Sequence, residues 1–169
     1  MSTFETIVII LLGVVFLAMI WIITEFSGLK GDIKAKLGIN NETIKLKLQA
    51  YERLTLLCER IALQNLISRL PNSGLTGRQM QYSLVEAIKS EFEYNISQQV
   101  YVSPDAWRAV SNLKEQNVYI INQLATTLPF NASGMDLNKQ IIDYLMSNPK
   151  ASLHTVVLEA LNYEAKKIM

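Results

Sequence analysis

Residues 7–23 read IVIILLGVVFLAMIWII, a run of seventeen positions without a charge, thirteen of them Ile, Val, Leu or Phe. Such residues favour a bilayer centre by roughly 0.3–0.6 kcal/mol each, so the run contributes on the order of 4–8 kcal/mol toward insertion. As a helix it is about 25 Å long, at the short end of what spans a hydrocarbon core. A cleaved signal peptide fits less well: the leading MSTFET lacks a basic residue, and TEFSGLKG after the run lacks a small-x-small site. A buried soluble helix of this length would carry at least one polar position. The run therefore predicts a transmembrane anchor over 1–25 and, beyond it, a tethered domain.

Charge supplies an orientation. Between Phe26 and Arg69 eight Lys/Arg face four acids, while from Leu70 to Met169 eight Lys/Arg face nine. Basic residues next to a span stay on the cytoplasmic side. The reading that follows is a single-pass protein of a cell inner membrane, its N-terminus outside and its domain cytoplasmic, with the lipid bilayer as one partner. Lys30, Lys34 and Lys36 would then lie near anionic headgroups.

Residues 26–41 read as a juxtamembrane connector. Gly28, Gly31 and Gly38 argue against a rigid continuation of the first helix. Leu29, Ile33 and Leu37 recur at every fourth position, so both an interfacial helix and a flexible tether are compatible with the stretch.

From 42 to 169 the pattern is helical throughout. A helix is expected over Glu42–Leu70, capped by Asn41 and ended by Pro71-Asn72-Ser73-Gly74. A second is expected over Gly77–Tyr94, opened by Thr76 with Gln79 in capping-box register. NISQQVYVSP alternates but has no strand to pair with, and reads as an extended connector. Ser103-Pro104 opens a helix to Thr127, with serine as N-cap and proline at its first position. A shorter one is expected over Met135–Met146, and Asn148-Pro149 starts the last, ending near Lys167. The fold class is therefore all-α, one transmembrane helix followed by a five-helix soluble bundle.

Catalytic patterns are scarce. The glycines match neither phosphate-loop nor dinucleotide spacing, and there is no G-x-S-x-G elbow. His154 is the sole histidine and Cys58 the sole cysteine, which leaves no His-based metal set and no internal disulfide. His154 reads as a solvated or capping residue, and Cys58 as a small buried hydrophobe. Glu91 and Glu93 point apart on their helix, while Glu52 and Glu59 lie about 10 Å apart along theirs without a sugar cleft nearby. No catalytic residue, cofactor or metal is assigned, and the chain reads as a non-enzyme. The basic excess is modest and lacks interleaved aromatics, so nucleic acid is not a partner.

The stretch LKLQAYERLTLLCERIALQNLISRL, residues 46–70, carries the functional signal. Projected at about 100° per residue, Tyr51, Leu54, Leu57, Cys58, Ile61 and Ala62 form an ordinary core face. Leu56, Leu63, Ile67 and Leu70 form a second apolar stripe, walled by Glu52 and Glu59 on one side and by Arg53 and Arg60 on the other. Two accounts stand: the helix touches bundle neighbours on two sides, or the stripe is a seam for a protein partner or a second copy, with Glu52, Arg53, Leu56, Glu59, Arg60 and Leu63 at the interface. Within the same stretch, Gln49-Ala50-Tyr51-Glu52-Arg53-Leu54 continuing to Glu59-Arg60-Ile61 resembles an uncharacterised Bacteroidetes family of small, N-terminally membrane-anchored helical proteins. That resemblance implies a bacterial inner-membrane setting and no activity. The function expected is a membrane-anchored interaction, scaffold or accessory module; the alternative is a ligand-binding regulatory or sensory domain.

Overall fold

The computed structural model describes residues 3–148 and 153–169, with side chains at 13, 15–24, 38, 41–148 and 153–169. Its elements are α1 (Thr3–Ile61), α2 (Leu63–Arg69), α3 (Gly77–Tyr94), a 3-10 turn (Ile96–Val100), α4 (Pro104–Thr127), α5 (Gly134–Ser147) and α6 (His154–Ile168). The chain divides into two compact units, Met1–Thr43 and Ile44–Met169.

The transmembrane part of the expected fold class is corrected. Among the described residues, no helix is long and apolar enough to cross a membrane. The described apolar side chains of the 7–23 run extend unbroken only from Val15. The side chains of 7–12 and 14 lie outside the described residues, as do those of Leu29, Ile33, Leu37 and Lys30, Lys34 and Lys36 in the connector. The connector read over 26–41, for which both an interfacial helix and a flexible tether stood open, is helical backbone within α1. Glycine lowers helix stability by about 1 kcal/mol per position but does not forbid helical dihedrals.

Within the second unit the all-α expectation holds. Thr76 accepts from the Gln79 amide while the Gln79 side chain returns to the Thr76 amide, completing the capping box that opens α3. Ser103 caps α4 with Pro104 at its first position. Ser133 caps α5, and Asp136 closes a second box. NISQQVYVSP is corrected from an extended connector to a 3-10 turn with the buried Gln98. The proposed start of the last helix at Pro149 lies outside the described residues; α6 is seen from His154.

Two helix–loop–helix units are joined at their loops. The capping residues Thr76 and Ser133 form an antiparallel bridge, in which the Gly77 amide donates to the Ala132 carbonyl (2.8 Å) and the Gly134 amide to the Leu75 carbonyl (2.7 Å). Gly74, with φ of +76°, supplies the left-handed turn that brings the first loop round. A Cβ on Gly134 would stand 3.2 Å from the Cβ of Met80 and 3.3 Å from Leu75, so the close approach of α5 to α3 leaves little room for a side chain there. The bridge fixes the starts of α3 and α5 side by side, and α4 packs against α3, α5 and α6.

The core collects Leu54, Leu57, Cys58 and Ile61 of α1, Leu66 of α2, Met80, Leu84 and Ile88 of α3, and Val110, Leu113 and Ile121 of α4. Leu137 and Ile141 of α5 and Leu161 of α6 complete it. Tyr51 ties three helices at one edge: its hydroxyl donates to Glu164 Oε2 of α6 (2.6 Å) and accepts from the Ser103 amide that precedes α4 (3.3 Å).

The expected helix Glu42–Leu70 is corrected as well. It breaks at Ala62, whose ψ of 127° turns the chain out of the helical ladder. The carbonyls of Glu59, Arg60 and Ile61 thereby lose the amides four residues on. Each accepts from a side chain instead: Glu59 from Asn65 Nδ2 (3.0 Å), Arg60 from Arg69 Nη2 (3.2 Å) and Ile61 from Asn117 Nδ2 (2.8 Å). The break is a satisfied feature, and the bond that matters most is at Ile61, the buried one of the three, where a carbonyl without a donor would cost about 1–3 kcal/mol.

Candidate functional site

The break divides the second stripe of residues 46–70. Leu63 turns inward and is buried with Leu66 and Ile67 in the core. Leu56, nearly two turns before the break, stays 58% exposed. Of the six residues read from the sequence, Arg53, Leu56 and Arg60 meet at a cleft of about 560 Å³ between α1 and the C-terminal end of α3. Leu57, Ser90, Glu91, Tyr94 and Asn95 complete its lining.

Glu91 is the electrostatic centre of that cleft. Its carboxylate accepts from Arg60 Nε (2.7 Å) and lies 2.6 Å from Arg60 Nη2, and Arg69 Nη1 approaches the same oxygen at 3.4 Å. The hydrogen bond to Glu91 raises the already high pKa of Arg60. Arg69 thus holds both the carboxylate and the Arg60 carbonyl freed by the break, which joins α2 to the cleft. Arg53 lies over the Tyr94 ring, 5.2 Å from its centroid. Phe92 packs on Trp107 of α4 with ring centroids 5.0 Å apart, and so anchors this end of α3. Two arginines on one carboxylate, with Arg53 beside them, leave the cleft with a surplus of positive charge around an apolar floor.

The acidic residues lie on the other flank of Leu56. Glu59 accepts from Asn65 Nδ2 (3.1 Å) and stands 3.5 Å from His154 Nε2 at the start of α6. Glu52, two turns earlier on the same flank, is exposed. So Leu56 has a basic flank facing α3 and an acidic flank facing α6. Cys58 points into the core, where burial first and Glu59 second push its thiol up to about 12, far from nucleophilic. Among the described residues no group of three or more His, Cys, Asp or Glu could hold a metal ion.

Against this geometry, a model of a family of unknown function matches residues 1–168. The chain belongs to the DUF7935 family. No curated protein matches it, and no solved structure matches it. The expectation of a family without assigned function is met over nearly the whole length of this DUF7935 chain.

Sequence reasoning missed Glu91, Tyr94 and Arg69. In the sequence Glu91 has only Glu93 as a neighbouring carboxylate, and nothing local ties it to Arg60, which is thirty-one positions away. A second depression of about 700 Å³, between α2 and α5 of the DUF7935 domain, is more apolar. Its lining includes Ile67, Met135, Ile142, Leu145 and Met146, and it stands open to solvent, with Met146 76% exposed.

Proposed function

We propose that this chain is a non-catalytic helical interaction module, a scaffold or accessory component that engages a protein partner through the face around Leu56. The observation that carries the reading is the setting of Leu56. A leucine more than half exposed lies at a cleft between Arg53, Arg60 and Tyr94. Arginine and tyrosine are the residue types that most often carry binding energy, and an apolar centre within a polar rim is the usual anatomy of an interface. The fold itself does not call for this exposure, since the core face of α1 is filled by Leu54, Leu57 and Ile61.

The test is site-specific photo-crosslinking in the native cell. A photoreactive phenylalanine analogue at position 56 should give discrete adducts of defined mass. The same group at Tyr119, which is 63% exposed on α4, should give none of them. Identical patterns from both positions, or no adduct from position 56, would sink the reading.

A further inference from the structure

We infer that the partner seated on the Leu56 face is a second copy of this chain, its α1 lying parallel to the first. The inference rests on the interaction reading above and names its occupant. It follows from how the charges flank Leu56. At about 100° per residue, Glu52 and Glu59 lie about 40° and 60° to one side of Leu56, and Arg53 and Arg60 about 60° and 40° to the other. The structure bears out this division, because Arg60 reaches α3 at Glu91 whereas Glu59 reaches α6 at His154.

Two copies of one helix can meet face to face in two symmetric ways. A two-fold axis perpendicular to the helices makes them antiparallel and sets each flank against its own kind. Glu52 then approaches the partner's Glu59 and Arg53 the partner's Arg60, which repels on both sides. A two-fold axis along the helices makes them parallel and sets the acidic flank of each against the basic flank of the other. Glu52 then stands opposite the partner's Arg53, about 1.5 Å different in height, and Glu59 opposite the partner's Arg60. Leu56 meets its own copy on the axis, and Gln49, two turns earlier and about 20° away, does the same. The face is charge-complementary to itself in one orientation only.

The cleft makes room for the contact. The partner's acidic flank enters the side where Arg53 lies over Tyr94 and where Glu91 is already shared between Arg60 and Arg69. An incoming carboxylate therefore meets, at Arg53, a guanidinium that stacks on Tyr94 and forms no ion pair among the described residues. Pairing of this kind selects orientation and partner more than it adds raw affinity. Leu56 supplies the apolar centre.

The experiment uses the full chain and leaves Arg60 alone, because its bond to Glu91 belongs to the fold. Sedimentation equilibrium is run on the wild type, on Glu52→Arg, on Arg53→Glu and on an equimolar mixture of the two variants. Circular dichroism confirms that each is folded. In the parallel dimer Glu52→Arg sets arginine against arginine, and Arg53→Glu sets glutamate against glutamate. Each alone should weaken the dimer at least tenfold, about 1.4 kcal/mol. The mixture restores both pairs and should return to within a few-fold of wild type. Gln49→Cys should form a covalent dimer with a short bismaleimide, while Cys58 stays buried and unlabelled. A wild type that is monomeric, charge variants that dimerise as tightly as wild type, or a mixture that does not recover would overturn the inference. Failure of Gln49→Cys to crosslink would overturn the parallel orientation. A monomeric wild type that still gives a discrete adduct to another protein from position 56 refutes self-pairing alone. Loss of every adduct refutes the interaction reading too.

Discussion

Asn117 holds open the break between α1 and α2, and its removal has a predictable size. Its side chain is only 4% exposed, and its Nδ2 donates at 2.8 Å to the carbonyl of Ile61, itself wholly buried. Asn117→Ala leaves that carbonyl without a donor in a place water does not reach, which costs about 1–3 kcal/mol. For a unit of this size each kcal/mol moves the thermal midpoint by about 3–5 °C, so the expected drop is about 3–15 °C. Asn65→Ala is the control, since Asn65 makes the matching bond to the Glu59 carbonyl from an exposed position. Water can replace it there, and the expected change is within about 0.5 kcal/mol. Urea unfolding followed by circular dichroism gives both values on one scale. Equal losses from the two variants would refute the idea that the break is held by buried carbonyl satisfaction.

Leu63→Ala should cost about 2–5 kcal/mol of stability, because the side chain is 4% exposed. Leu56→Ala, from a site 58% exposed, should cost well under half of that by the same unfolding assay. Burial and, after it, the Glu164 carboxylate raise the pKa of Tyr51 above 10.0. Stability from the neutral phenol is therefore complete below pH of about 10 and is lost as pH rises through the higher folded-state value. Unfolding midpoints between pH 8 and 11 should fall more steeply for wild type than for Tyr51→Phe; parallel curves would refute this. Gly134→Ala, whose new Cβ would stand 3.2 Å from Met80 Cβ, should destabilise by about 1–3 kcal/mol. Gly77→Ala meets nothing closer than 3.4 Å and should lose much less, as differential scanning calorimetry can check.

Sequence alone determined the features governed by neighbouring residues. The capping box at Thr76 and Gln79, the Ser103-Pro104 start and the stop before Pro129 are local hydrogen-bonding and steric facts, and they stand in the structure. The core face Leu54, Leu57, Cys58 and Ile61 follows from helical period and burial of apolar area, and it too stands. Tertiary structure decided what no neighbour announces. Between Glu59 and Arg69 there is neither glycine nor proline, and the apolar period continues as for one unbroken helix. The break at Ala62 exists because donors distant in sequence or brought near by the turn itself, Asn117 foremost, take over three carbonyls, and because Leu63 gains burial by turning inward. That one rotation separates Leu63 from Leu56, leaving one in the core and the other at a charged cleft. The Arg60–Glu91 pair across the cleft is of the same kind. Its partners come from different helices, and only packing of α3 against the rest of the bundle brings them together.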